Sequence, residues 1–387
     1  MDFTLNDEQQ QFRRTLRDFV DKDIVPVARE WEQGGRYPAE IVETMKEMGL
    51  FGLLVPEEYG GLAVDLVSFA LVFEEIARGW MGVAGILGSH SLATWMIAKH
   101  GTEDQRARYL PELATGERRT GIALTEPDAG SDLQGITTRA RLDCDHYVVD
   151  GTKMWITNAR YADPMPVLVK TDSAASPAHR GMSILLVDAD TPGYEVTRDL
   201  PKLGYNGPET CEIVLTGVRV PKENLLGGVE GRGLQQALSA LEVGRINVAA
   251  RSVGIAQRAY EEALDYSRQR RAFGRPIADF QAIQLKIADM ATGVQSARLL
   301  TYWAASRKDE TERADLETGM AKLHASEVAV SAAQEAMRVH GAYGYSKEYE
   351  VERLFRDSML MSIGEGTSDI LRTVIAKKLV AGDGRVG

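Results

Sequence analysis

Apolar positions change their period twice along the chain, and the changes divide it into three regions. Behind Asn6 and Gln9, a capping-box pair, Phe12, Leu16 and Phe19 recur at helical spacing. Pro38 suits the first turn of another helix and Gly49 its stop; Thr102 and Gln105 open a further one that ends near Gly116. Near residue 121 the pattern becomes β-rich. Tyr147-Val148-Val149 runs into Asp150-Gly151, a hairpin signal, followed by Lys153-Met154-Trp155-Ile156-Thr157. Further short runs lie at 167–169, 184–187 and 213–215 between Asp-, Pro- and Gly-rich turns, so this region predicts a small antiparallel β domain. After Pro221 helical spacing returns. Leu234, Leu238 and Leu241 share a face, and alanine-rich helices are expected over 246–270, 278–307 and 314–340. The expected class is α+β, with units 1–120 (helical), 121–228 (β) and 229–387 (helical bundle).

Composition narrows the function. With 387 residues, 44% of them hydrophobic, the chain can bury a large core. A net charge of −11 argues against a nucleic-acid partner, since phosphate binding needs clustered positive charge. Only Cys144 and Cys211 are present, so no disulfide framework is expected and a reducing, cytoplasmic location is the simplest expectation. The acidic start, Met1-Asp2-Phe3-Thr4, lacks a signal-peptide layout, and no membrane insertion is expected.

Candidate chemistry is concentrated near the end, in Ile363-Gly364-Glu365-Gly366-Thr367-Ser368-Asp369-Ile370. Two glycines flank one carboxylate, and a helix can begin just after it with Ser368 or Asp369 as N-cap. Glu365 is a candidate general base or an ordinary helix start. The glycine-rich run 227–233 has the wrong spacing for a dinucleotide fingerprint. The six histidines are scattered, without metal-ligand spacing, and His340 is expected near a helix C-terminus, where a cation is favoured. Two middle segments suit a ligand: the turn-rich Leu124-Thr125-Glu126-Pro127 with Gly130-Ser131-Asp132, and Trp155-Ile156-Thr157-Asn158. In the second, alternation sets an indole and a hydroxyl on one face, suited to a flat heteroaromatic ring or to a core Trp and a surface Thr.

Taken in order, these pieces resemble the acyl-CoA dehydrogenase family nearly end to end. Val55-Pro56-Glu57-Glu58-Tyr59-Gly60-Gly61, the two middle segments, Arg270-Arg271-Ala272-Phe273-Gly274, Gly341-Ala342-Tyr343-Gly344-Tyr345 and Glu365-Gly366-Thr367-Ser368 carry the resemblance. It implies an N-terminal helical domain, a middle β domain, a C-terminal four-helix bundle and bound FAD. By position, Leu124, Thr125 and Ser131 would line the flavin, with Trp155, Ile156 and Thr157 beside it. Arg270, Phe273 and Gln281 would reach a neighbouring subunit's cofactor, and Arg338, in the adenine-side loop, with Gly341, Thr367 and Asp369 completes the cofactor set. Such sharing implies a homo-oligomer, commonly a tetramer.

Glu365 matches the family's usual base, which removes the pro-R α-proton of an acyl-CoA while the β-carbon passes hydride to flavin N5. Ser131, Glu242, Arg245 and Gly366 would contact the substrate. The resemblance also implies a place in fatty-acid or related lipid metabolism and electron-transferring flavoprotein as acceptor. Some members carry the base at the position of Gly244, which glycine cannot provide; Glu242, two residues away, points about 200° elsewhere. Gly364 stands where many members carry Tyr, Arg338 where Gln is usual and Ala342 where Gly is usual. Segment 81–98 would floor the acyl cavity; it lacks Lys and Arg, so a glutaryl-type diacid is not expected. Short, medium and branched acyl groups stay open. A flavin oxidase or a biosynthetic desaturase acting on a CoA or carrier-protein thioester is the alternative, and after that a non-catalytic binding member.

Overall fold

The computed structural model describes residues 4–382; Met1–Phe3, part of the acidic start, lie outside them. Six helices come first: α1 (Asp7–Phe19), α2 (Val25–Gln33), α3 (Ala39–Glu47), α4 (Leu66–Gly79), α5 (Met81–His100) and α6 (Glu103–Thr115). Both expected capping boxes form, at Asn6/Gln9 and Thr102/Gln105. Pro38 is the N-cap of α3, and Gly49 follows that helix at φ +71°. Helix α5 is apolar all round and therefore central. By length and composition it could cross a membrane, contrary to the sequence expectation, but 83% of its apolar window is buried inside the protein.

The middle unit is a six-stranded sheet: β1 (Arg139–Asp143), β2 (His146–Thr157), β3 (Met165–Lys170), β4 (Met182–Val187), β5 (Tyr194–Asp199) and β6 (Thr210–Pro221), in the order β4-β3-β1-β2-β6-β5. Its pairings are antiparallel except for a single parallel contact between β1 and β3. Asp150-Gly151 is not a hairpin turn. The strand β2 runs straight through it, with a register shift against β6. A Cβ on Gly151 would fall 2.3 Å from the Thr138 hydroxyl, so the glycine serves a close backbone approach within a bulge. The turn joining β1 and β2 lies earlier, where Cys144 takes φ +57°.

The third unit begins with one continuous helix, α7 (Gly233–Gln269), longer than the expected 246–270 because the leucine stripe and the alanine-rich run share a phase. A short ribbon, β7 (Arg271–Ala272) with β8 (Arg275–Pro276), leads to α8 (Gln281–Glu310) and α9 (Asp315–His340). Helices α10 (Val351–Met361) and α11 (Ser368–Ala381) close the bundle. Alanines at positions such as 249, 256, 321, 325 and 329 are fully buried where α7, α8 and α9 approach closely. The face of α7 opposite this bundle packs on α4 and α5, and that seam holds the site.

Candidate active site

Between α10 and α11 the chain makes a tight turn in which Glu365 adopts φ +54° and Gly366 φ +100°. A left-handed glutamate costs about 1–3 kcal/mol unless its surroundings impose it. Here they do. Lys322 of α9 donates to the Gly366 carbonyl at 2.7 Å, and the Ser368 N–H donates to the Ser362 carbonyl at 3.0 Å. The N-cap of α11 is Thr367, whose hydroxyl accepts from the Ile370 N–H at 3.2 Å, rather than Ser368 or Asp369 as expected. Both expected caps fall inside the first turn, because the left-handed pair sets the last non-helical residue one position earlier. Asp369 is exposed to solvent.

The turn aims Glu365 at α7. A Cβ on Gly244 would lie 1.9 Å from Oε2 of Glu365, so the carboxylate occupies the space a side chain there would need. Oε2 is buried without a hydrogen-bond partner, and Oε1 lies 3.7 Å from Nη2 of Arg251. Burial pushes the Glu365 carboxyl above the usual range, and Arg251, Lys322 and Arg245 together oppose that rise. A shielded carboxylate raised in this way suits proton abstraction from a weak carbon acid. The Glu365 N–H donates to no protein acceptor among the described residues. Beside it, a Cβ on Gly364 would meet only Leu360 at 3.6 Å or more, so the wall there is open.

Arg245 is buried, with Nε and Nη1 unpaired and Asp315 3.9 Å away. Burial lowers its pKa while Asp315, Glu242 and Glu365 oppose the shift. Glu242 is already engaged: its Oε2 accepts from Lys308 Nζ at 2.7 Å and from the Ala314 N–H at 3.0 Å. It ties α7 to α8 and to the start of α9 rather than facing the cleft.

Across the seam, β2 supplies Trp155 at φ +65°, in a bulge that breaks the alternation the sequence predicts. The indole is 55% exposed, a flat surface open to a ring, while Ile156 turns into the sheet core. Asn158, also left-handed, donates to the Ile86 and Thr120 carbonyls at 2.9 and 3.1 Å and ties the strand end to α5. The neighbouring loop is held by an ion pair that the motifs did not reveal. Fully buried Lys153 reaches Glu126 at 2.9 Å and the Leu124 carbonyl at 3.1 Å. Glu126 also accepts from the N–H groups of Thr137 and Thr138. Leu124 and Thr125 are thereby fixed beside Met154, whose N–H donates to the Thr125 carbonyl at 2.9 Å, while Ser131 stays exposed.

Three further residues are not among the sequence candidates, and two of them, Tyr205 and Asn247, carry no local mark. Tyr205, at φ +60°, sends its hydroxyl to within 3.4 Å of the Thr157 hydroxyl, and its ring fills the space beside Gly85. The amide of Asn247 fills the space beside Gly88. The α5 glycines therefore admit close packing of polar groups. Arg251 could have been noticed as the lone cation in a run of small and β-branched residues, seven positions after Gly244. Segment 81–98 does lack a cation, but Arg251 supplies one to the same seam from α7.

The remaining sequence candidates form a separate group on the outside of the bundle; no ion pair or hydrogen bond links them to Glu365 among the described residues. Phe273 is 95% exposed, Arg270 and Gln281 are exposed, and Arg338 pairs with Glu335 at the surface. Arg270 and Gly341 share a cleft of about 250 Å³ with Tyr266, His340, Ala342 and Tyr343. His340 ends α9, as expected, but burial lowers its pKa and its Nε2 has no partner. An exposed arginine, an unpaired ring nitrogen and open space at the left-handed Gly341 fit the phosphate and base portions of a nucleotide cofactor. The exposed indole beside the Thr157 hydroxyl fits a flavin-like ring.

Over residues 6–117 the chain matches the acyl-CoA dehydrogenase N-terminal domain, over 121–218 the middle domain and over 231–380 the C-terminal domain. A probable acyl-CoA dehydrogenase of Bacillus subtilis (strain 168), YngJ, is 44% identical over 382 residues, covering 98% of this chain and 100% of that protein. Subunit CarC of the caffeyl-CoA reductase-Etf complex of Acetobacterium woodii is 40% identical over 378 residues, covering 97% and 99%. Among solved structures, butyryl-CoA dehydrogenase from Megasphaera elsdenii has a TM-score of 0.95 at 37% identity, covering 98% of this chain and 100% of that one.

Proposed function

This chain belongs to the acyl-CoA dehydrogenase family of FAD-dependent flavoproteins, and we propose that it oxidises an acyl-CoA thioester to the trans-2-enoyl-CoA with Glu365 as base. The reading rests on one observation above the rest: the Glu365 carboxylate, raised by burial and without a hydrogen bond to Oε2, seated in the space that Gly244 leaves. Bound FAD supplies the hydride acceptor. Glu365 takes the α-proton, and its free N–H is available to the thioester carbonyl, where enolate charge develops. Trp155 and Thr157 support the flavin ring, and the Lys153–Glu126 pair keeps their neighbouring loop rigid. Arg245 remains available near the base for the thioester, whereas Glu242 holds the helices around it.

The exposed Phe273, Arg270 and Gln281 serve the FAD of a neighbouring subunit, which makes the working form a homo-oligomer, a tetramer by family habit. Electrons leave through an electron-transferring flavoprotein, a reading supported by the likeness to CarC. The unpaired Cys144 and Cys211 suit action in the cytoplasm, in fatty-acid or related lipid metabolism. Anaerobic mixing of the FAD-loaded protein with straight, branched, cyclic and carboxylated acyl-CoAs tests the reaction. At least one should bleach the flavin; binding of the thioesters with no reduction by any of them would overturn it.

A further inference from the structure

Gly244, Asn247 and Arg251 lie at i, i+3 and i+7 on α7 and so form one stripe, turned toward α5 and the Glu365 turn. The first position leaves the space that the Glu365 carboxylate fills. The next two are polar where a plain alkyl chain would call for carbon. Asn247 is fully buried and both atoms of its amide are unpaired. Arg251 is 7% exposed, its Nε is buried and unpaired, and its only protein partner among the described residues is Glu365 at 3.7 Å. The buried Tyr205 hydroxyl, 3.4 Å from that of Thr157, adds a third polar group to the seam.

We propose that Arg251, with Asn247 and Tyr205, forms an anion subsite that makes a short dicarboxylic acid monothioester the preferred substrate. The inference rests on the thioester-oxidation reading above. Two physical points carry it. When Glu365 accepts the α-proton, the negative charge passes from its carboxylate to the thioester enolate, so Arg251, still buried, loses the carboxylate beside it. A carboxylate carried by the substrate keeps a counter-charge beside Arg251 after Glu365 is protonated, and it favours protonated Glu365 over the ionised form it repels. The 3.7 Å spacing also limits the length of the acyl group. Because Glu365 meets the α-carbon, a carboxylate that reaches Arg251 sits only a few bonds farther on. Arg251 and Asn247 then donate to it through groups that the protein leaves free.

The test compares succinyl-, 2-methylsuccinyl- and glutaryl-CoA with butyryl- and isovaleryl-CoA on the tetrameric or otherwise assembled holoenzyme. The readout is the ratio of diacid to monoacid kcat/KM, each measured on its pH plateau, so that any effect of Arg251 on the base cancels. The wild-type ratio should favour at least one diacid. Arg251→Gln should lower that ratio by on the order of 100-fold, and Arg251→Lys by less. A wild-type preference for monoacids, or an Arg251→Gln variant that slows both classes equally, would overturn the proposal and leave Arg251 as a partner of the base alone. Binding supplies an arm independent of turnover. In Glu365→Gln holoenzyme Arg251 has lost its partner, so succinyl-CoA should bind more tightly than butyryl-CoA, and the added Arg251→Gln change should abolish the difference. Equal binding in Glu365→Gln would count against the subsite even if the oxidation reading itself fails.

Discussion

Gly244→Ala should remove activity while leaving the fold intact, because the added methyl group competes with the base and with little else. Its Cβ would stand 1.9 Å from Glu365 Oε2, 2.9 Å from Cδ of the same carboxyl and 2.7 Å from Leu92 Cδ2. Ordinary contact begins near 3.4 Å, so the carboxylate must retreat by more than an ångström. A misplacement of about 1 Å at a reacting group costs on the order of 100-fold in rate. In the other direction, alanine is favoured over glycine inside a helix by about 0.8–1.0 kcal/mol, which offsets the strain at flexible Leu92. Stopped-flow reduction of the flavin under anaerobic conditions, with FAD content and a thermal melt on the same preparation, separates the two effects. Reduction should slow by about 100-fold or more, with FAD retained and Tm held or slightly raised. Flavin reduction at the wild-type rate would refute the idea that the carboxylate works from this position.

Further outcomes follow from the same structure. Burial raises Glu365 and the base must be ionised, so the reduction rate should climb with pH through a pKa above that of a free glutamate; a rate already level across that range would contradict this. Lys153→Met leaves Glu126 as an unpaired buried carboxylate and should cost about 3–5 kcal/mol in a denaturant titration, with weakened FAD retention; a loss under about 1 kcal/mol would show the pair to be dispensable. With the pair intact, burial opposes but Lys153 and the Thr138 and Thr137 hydrogen bonds prevail, holding Glu126 down to about 2, so its stabilisation is complete above pH 4.5 and fades as pH falls toward 2. Arg270→Ala should raise the fraction of FAD lost on gel filtration, and unchanged retention would remove Arg270 from the cofactor site.

What the sequence made legible was set by local chemistry. Asn6/Gln9 and Thr102/Gln105 cap their helices because a capping box needs only four adjacent residues. Asp150-Gly151 misled because a left-handed or strained glycine serves a bulge as well as a turn, and the choice was made by Thr138 packing against it. Position 244 was readable as a place without a base. Its role as a space for the Glu365 carboxylate was not, since that depends on a turn held by Lys322 from another helix. Positive φ at Glu365, Trp155 and Tyr205 is likewise imposed by tertiary contacts, as none of these residues favours it alone. Asn247 and Arg251 passed as helix filler because their partners lie on α5 and in the turn before α11.

The most direct test is anaerobic reduction of Glu365→Gln holoenzyme by the thioester that bleaches the wild type fastest. The amide keeps the size of the side chain and removes its basicity, so FAD content and thioester binding should persist. Flavin reduction should fall by at least about 1,000-fold, within the range of about 100- to 10,000-fold for loss of a general base. Reduction of the variant at a rate close to that of the wild type would show that another group takes the α-proton.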